Sequence, residues 1–171
     1  MLTDTTEKKD VWQGRLSSPA AILYGFFRVE DVRSIAEKTS GDLVVLEGRP
    51  RLDIGKVTSR QIIKLGRRPV VIADNMAGFL FFQKKIGAVY VAGPSRDENG
   101  AFGPTGSLIL AVLCKKHNVP FYAIDGAKHG DLLAKEQELF NFEGKRVAAS
   151  GIRGYAPLIE WVPGEYIRSE K

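Results

Sequence analysis

The 171-residue sequence has one cysteine, two histidines and no long apolar run, and each scarcity argues against a class of protein. A single cysteine cannot form an internal disulfide, which fits a reducing, cytoplasmic location. Two histidines without cysteine partners do not make a structural zinc site, and no motif indicates a cofactor, so we expect neither. The apolar runs are too short to span a bilayer, and the polar start lacks the apolar stretch of a signal peptide. We therefore expect no membrane association.

The charge balance is basic but not concentrated. The net charge is +5 and the isoelectric point is about 9.3. Lys and Arg are interleaved with Asp and Glu along the whole chain, and there is no long basic block of the kind that marks a nucleic-acid surface. We expect no nucleic-acid partner, whereas an anionic small molecule is compatible with this charge.

Alternating apolar segments predict the fold class and the domain organisation. We expect a polar tail over residues 1–18 and one domain over residues 19–171. Strands followed by helices of similar length predict an α/β fold, a Rossmann-like parallel sheet with helices on both faces. The predicted strands are DLVVLEG, PVVIAD, AVYVAG and VPFYAID, with KRVAAS and APLIEWV as one or two more, and PAAILYGFF as either a strand or a buried turn. The predicted helices are VEDVRSIAEKTSG, TSRQIIKLGRR beginning at Thr58, NMAGFLFFQKKI and TGSLILAVLCKKHN.

The glycine-rich stretch GPSRDENGAFGPTG lies between a predicted strand and a predicted helix. In parallel sheets, ligands bind beyond the carboxyl ends of the strands. Glycines at 100, 103 and 106 would let backbone N–H groups converge, and the start of the next helix favours an anion. Arg49 and Arg96 follow neighbouring strands and could clamp a phosphate. The alternative is a glycine-rich turn that binds nothing.

Few residues are candidates for acid–base or nucleophilic chemistry. Cys114 has apolar neighbours at helical spacing, which favours a core position over a nucleophile. The carboxylates at predicted strand ends are Asp53, Asp74, Asp97 and Asp125. A role in a turn or a helix cap is favoured over an acid–base role, and we expect Asp74 to cap the NMAG helix.

Four separated segments, in order, resemble the carboxyl-terminal domain of the initiation-factor-2B-like family. They are EGRPRLDIGKVTSRQI, PVVIADNMAGFLFFQKKIGAVYVAG, GSLILAVLCKKHNVPFYAI and EWVPGEYI. The family includes methylthioribose-1-phosphate and ribose-1,5-bisphosphate isomerases and the alpha, beta and delta subunits of eukaryotic translation initiation factor 2B. The resemblance covers roughly residues 40–168. It implies a Rossmann-like fold and a bound phosphorylated ligand.

The chain departs from the isomerase pattern where the resemblance implies catalysis. The position of the family's acid–base Asp is Ser95, and Pro104 and Thr105 stand at the phosphate-binding Asn-Lys pair. Asp53 aligns with a substrate-binding Gln, and Cys114 does not match the family's catalytic Cys. We therefore expect a stand-alone, non-isomerase binding or regulatory protein for a phosphorylated metabolite or nucleotide, with no isomerase activity of its own. Whether it is an enzyme is left open. The alternatives are a divergent sugar-phosphate isomerase-like enzyme and an assembly module acting with a partner chain. The predicted ligand-binding residues are Arg49, Asp53, Asp74, Asn75, Ser95, Arg96, Asn99, Gly100, Thr105 and Gly106.

The AGFLFFQ segment predicts self-association. Consecutive residues of a helix face different directions, so Phe79, Phe81 and Phe82 cannot all be buried inside one small domain. We expect at least one ring to point outward and a homodimer to form through this helix. Burial under the amino-terminal segment is the alternative, and a protein partner is also compatible.

Overall fold

A computed structural model describes residues 16–127 and 131–168. The strands are β1 (Ala20–Gly25), β2 (Leu43–Leu46), β3 (Val70–Ile72), β4 (Ile86–Gly93), β5 (Arg96–Asp97), β6 (Gly100–Pro104), β7 (Phe121–Asp125), β8 (Asn141–Phe142), β9 (Lys145–Arg146) and β10 (Ile159–Pro163). The α-helices are α1 (Val29–Lys38), α2 (Asp53–Lys64), α3 (Ala77–Phe82), α4 (Ser107–His117) and α5 (Glu136–Phe140), and 3₁₀ turns span Asp74–Met76 and Gly164–Tyr166. None of the helices in this part of the chain is long and apolar enough to cross a membrane.

The central sheet has five strands in the order β3-β2-β1-β4-β7, and every adjacent pair is parallel. Helices α1 and α2 pack on one face through residues such as Val32, Ile35 and Ile62. Helices α3 and α4 pack on the other through residues such as Phe81 and Leu110. The strands β1 and β2 are buried along their whole length, as a sheet covered on both faces requires. The predicted α/β fold, with helices on both faces, is confirmed.

Cys114 lies on the side of α4 that faces the core, with 1% of its surface exposed. Burial raises the pKa of its thiol to about 12. The thiolate is the nucleophilic form of cysteine, so burial disfavours that form, and the side chain is a core residue, as predicted.

Several local predictions need correction. The glycine-rich stretch is not an open loop, because β5 and β6 form a hairpin that joins β10 in a second, antiparallel sheet. Helix α2 begins at Asp53 rather than Thr58. The Thr58 side chain is fully buried and its hydroxyl donates to the Gly25 carbonyl at 2.9 Å, so it ties α2 to the end of β1. Residues 1–15 of the predicted tail lie outside the described residues. Ser17, also in the predicted tail, exchanges hydrogen bonds with Asp42.

Residues 131–158 form a small lobe beside the carboxyl ends of β1 and β2. The lobe contains α5 and the β8–β9 hairpin, and a bridge between Leu133 and Pro157 closes it. Phe140 is 4% exposed, and the Arg146 guanidinium lies 5.4 Å from the centre of its ring. Of the predicted KRVAAS strand only Lys145–Arg146 pairs, whereas the APLIEWV segment supplies β10.

Candidate functional site

A pocket lies beyond the carboxyl ends of β1 and β2. After β1 the chain builds outward to β2 and β3, and then crosses back to place β4 on the other side of β1. Such a topological switch point is where open α/β sheets bind ligands. The pocket is a small cleft that is partly open to solvent. Its lining consists of Tyr24, Phe26, Gly48, Arg49, Arg51, Asp53, Ile54, Pro104, Thr105 and Leu158.

The loop between β2 and α2 is held in place by Asp74. One carboxylate oxygen of Asp74 accepts the Gly48 N–H at 2.9 Å and the other accepts the Arg49 N–H at 2.7 Å. The Arg49–Pro50 peptide bond in this loop is cis. Contrary to our prediction, Asp74 does not cap the following helix, because its carboxylate is turned toward this neighbouring loop. Its role is to position the loop that carries the pocket's arginines.

The Arg49 side chain is oriented by uncharged groups of the lobe. Its guanidinium donates to the carbonyls of Leu139 at 3.0 Å and Asn141 at 3.3 Å. It also lies 4.8 Å from the centre of the Phe142 ring. Carbonyls and an aromatic face fix a guanidinium without neutralising it, so Arg49 brings a positive charge to the pocket wall.

Arg51 is instead paired with two carboxylates of the lobe. Its guanidinium donates to Glu138 at 2.8 and 3.2 Å and lies 2.9 Å from an Asp131 carboxylate oxygen. These hydrogen bonds, together with one from the Lys135 backbone N–H, lower the pKa of Glu138. The charge of Arg51 is therefore largely balanced in this structure.

Tyr24 is the buried hydrogen-bond donor of the pocket wall. Its hydroxyl donates to the Thr105 carbonyl at 2.7 Å. Burial raises the pKa of Tyr24, and the nearby carboxylates of Asp74 and Glu160 raise it further. The phenol therefore stays protonated at physiological pH and can donate a proton in a hydrogen bond but cannot act as a base.

The amino end of α4 does not have the arrangement that we predicted. One oxygen of the Glu160 carboxylate accepts both the Gly106 N–H at 2.8 Å and the Leu108 N–H at 2.7 Å. A carboxylate of the chain thus occupies the position proposed for a phosphate. Arg96 is turned away and donates to the Ala123 carbonyl at 3.1 Å, on the edge strand β7. The Arg49 and Arg96 guanidinium groups do not converge on this helix start in this structure, because Arg49 contacts the lobe and Arg96 contacts β7.

The other predicted site residues divide into two groups. Arg49, Asp53 and Thr105 line the pocket together, with Asp74 behind them. The remaining residues lie on exposed turns or in backbone positions that serve the second sheet. Asn75, Ser95 and Asn99 are exposed, Gly100 is buried next to Val162 and Trp161, and Gly106 takes a φ of 106° at the start of α4.

Seven residues of the pocket lining were not among the predicted ligand-binding residues, and neither was Glu160. The seven are Tyr24, Phe26, Gly48, Arg51, Ile54, Pro104 and Leu158. A signal existed for Tyr24 and Phe26, because LYGFF is where β1 ends, but the sequence does not place β1 at the centre of the sheet. No local pattern indicated that Glu160, on an antiparallel strand 54 positions after Gly106, would cap α4. Within the described ranges, no three His, Cys, Asp or Glu side chains are grouped closely enough to hold a metal ion.

Comparison with known proteins agrees with this architecture. The crystal structure of translation initiation factor eIF-2B subunit delta from A. fulgidus superposes with a TM-score of 0.72 and 19% identity, covering 88% of this chain and 51% of that one. The 5-methylthioribose 1-phosphate isomerase of Pyrococcus horikoshii gives a TM-score of 0.72 and 24% identity, covering 87% of this chain and 48% of that one. These similarities establish the fold.

Sequence relatives establish the family. A methylthioribose-1-phosphate isomerase of Desulforudis audaxviator is 32% identical over 133 residues, which are 71% of this chain and 38% of that protein. A methylthioribose-1-phosphate isomerase of Thermus thermophilus is also 32% identical over 133 residues, 71% of this chain and 40% of the relative. The chain thus spans about two fifths of the length of these curated relatives. A model of the Initiation factor 2 subunit family matches residues 29–169, and the chain belongs to that family.

Proposed function

We propose that this chain binds a phosphorylated sugar or a similar small phosphorylated metabolite in the pocket beside the switch point. The observation that carries the proposal is that both Arg49 and Asp53 line the pocket. A guanidinium whose partners are neutral favours an anionic group, and a carboxylate accepts hydrogen bonds from hydroxyl groups. Phe26, Ile54 and Leu158 add the apolar surface that small-molecule sites usually present.

Isomerase chemistry is the second candidate, and the relatives favour it over the non-isomerase protein that we expected. The curated relatives described above are named as methylthioribose-1-phosphate isomerases. An aldose–ketose interconversion needs a positioned acid or base. Ser95 is exposed and is not part of the pocket lining, whereas Asp53 is a carboxylate within it. If the chain is catalytic, we propose Asp53 as its acid or base.

Thermal unfolding with a panel of sugar phosphates tests the binding proposal. A ligand at 100 times its dissociation constant should stabilise the fold by about 2.7 kcal/mol. Arg49→Gln should remove most of that stabilisation, whereas Lys115→Gln, which breaks an exposed ion pair with Glu165 at the other end of α4, should not. If no phosphorylated sugar stabilises the protein, or if Arg49→Gln binds as well as the parent chain, the proposal is wrong.

The same preparations distinguish binding from catalysis. Turnover of methylthioribose 1-phosphate that Asp53→Asn abolishes would identify an isomerase. Turnover that survives Asp53→Asn would instead contradict the role proposed for Asp53. Binding without turnover would identify a binding protein.

We further propose a homodimer formed through α3. As expected, the phenylalanines of this helix point in different directions: Phe81 is 1% exposed, Phe79 is 37% exposed and Phe82 is 75% exposed. Met76 and the outer face of α4, with Ile109 and Val112, are also exposed. Exposed apolar side chains of this size favour burial against another molecule, and a second copy presents the same surface.

A further inference from the structure

Arg51 stands between two compartments. On one side is the pocket described above, which it lines together with Asp53. On the other side is an open groove lined by Pro50, Arg51, Asp53, Glu138 and Asn141. The same arginine side chain thus forms part of the wall of both spaces. The lobe supplies the far side of the groove through Glu138 and Asn141.

Two arginines attach the lobe to this edge of the sheet, and their attachments differ in chemistry. Arg49 donates to main-chain carbonyls, so it can attach the lobe and still present its positive charge to an anion. Arg51 pairs with the carboxylates of Glu138 and Asp131. A phosphate offers the same kind of oxygen acceptors in a similar geometry and can compete for a guanidinium.

The ion pairs of Arg51 are open to solvent. The exposed fractions of the side chains are 27% for Arg51, 32% for Glu138 and 61% for Asp131. Partly exposed pairs of this kind contribute little individually, because water and salt screen them. They can therefore open without unfolding the sheet, which is what a reversible contact at a pocket mouth requires.

We propose that the Arg51 side chain is a gate between the pocket and the groove. Its ion pairs with Glu138 and Asp131, here called the latch, hold the gate in place. An anionic group in the pocket competes for the guanidinium, breaks these ion pairs and loosens the lobe. Arg49 then remains as the fixed attachment of the lobe, and Arg51 is the exchangeable one. The ligand-driven half of this proposal rests on the function proposed above, whereas the latch itself does not.

Hydrogen exchange without any ligand tests the latch. In the double variant Glu138→Gln and Asp131→Asn, we expect amide exchange in residues 131–142 to be about fivefold faster than in the parent chain, as loss of a partly exposed ion-pair contact allows. Glutamine keeps an amide oxygen that can accept the Lys135 N–H, which Glu138 accepts at 2.8 Å, so the start of α5 stays capped. Glu165→Gln, which breaks the exposed pair with Lys115 far from the lobe, is the matched control and should leave this exchange unchanged. Unchanged exchange in the double variant overturns the latch.

The Arg51 Nε–Hε signal in NMR spectra tests the gate, with inorganic phosphate as the probe. We expect phosphate to move this signal away from its Glu138-bonded position, while sodium chloride at equal ionic strength does not. If phosphate shifts the pocket residues but leaves the Arg51 signal in place, or if chloride moves it as far, the gate is wrong although the pocket binds anions. If phosphate shifts no pocket residue, the ligand-driven half of the proposal is wrong. The sugar-phosphate panel then still tests the proposed function, and the hydrogen-exchange comparison still tests the latch.

Discussion

Asp74 is the residue on which the geometry of the pocket depends most, so its removal is the most informative perturbation. Asp74→Ala deletes two hydrogen bonds from a carboxylate to backbone N–H groups, at 2.9 Å to Gly48 and 2.7 Å to Arg49. A hydrogen bond to a charged group contributes about 1.5–3 kcal/mol. Asp74 and Arg49 are half-buried and Gly48 is buried, so we expect a loss of at least about 3 kcal/mol for both bonds together.

Urea unfolding of the parent chain and the variant measures this loss directly. In thermal unfolding, a loss of about 3 kcal/mol corresponds, for a chain of this size, to a fall of about 6–12 °C in the midpoint temperature. Asn75→Ala is the matched control, because Asn75 is the next residue along and is exposed. Its effect should stay within about 0.5 kcal/mol. If Asp74→Ala costs no more than Asn75→Ala, the carboxylate does not hold the loop, and the account of how the arginines are positioned is refuted.

Three further predictions concern other parts of the molecule. The Cys114 thiol, buried and with its pKa raised to about 12, should resist alkylation at pH 8 until urea unfolds the chain, and rapid labelling of the folded protein would contradict its core position. Burial, with a smaller effect from Asp74, raises the pKa of Glu47, so folding disfavours its charged form, and the stability that it contributes at low pH is lost as the pH rises through its pKa. Glu47→Gln should therefore raise the unfolding midpoint at pH 7 but not at pH 3, and an equal change at both values would exclude a charge effect. Phe82→Asp should convert the proposed dimer to a monomer in light scattering. Tyr155→Asp, at a similarly exposed position on the lobe, should leave the dimer intact. If the parent chain is itself a monomer, the dimer proposal is wrong.

The repetitive part of the fold could be predicted because it depends on local patterns. Runs such as LVVL are apolar at every position, as in a strand covered on both faces, and the four helices that cover the central sheet alternate with its strands along the chain. The sequence also placed Cys114 in the core and one phenylalanine of α3 outside it. Each of these conclusions uses neighbours within a few positions of the chain.

The site was predicted only in part because its contacts are distant in sequence. Arg49, Asp53 and Thr105 were identified, since they follow strands or begin helices. The partners that decide what those residues do lie far away, as Leu139 is 90 positions from Arg49 and Glu138 is 87 from Arg51. Glycine spacing suggested an open loop after β4, whereas those glycines allow β6 to pack closely on its neighbours. A Cβ at Gly93 would lie 1.6 Å from the Phe102 carbonyl oxygen.

The position of Glu160 explains why a ligand's phosphate should approach the β2–α2 loop rather than the start of α4. A free helix amino end attracts anions because its N–H groups lack partners and the helix dipole is positive there. In this chain a covalently attached carboxylate already accepts two of those N–H groups. A soluble phosphate would have to displace it and leave Glu160 close to the new negative charge. Arg49 imposes no such cost, because its partners are carbonyls and an aromatic ring. The proposed anion site therefore lies at the loop that carries Arg49 and Arg51, and Asp74 and the lobe hold that loop in position.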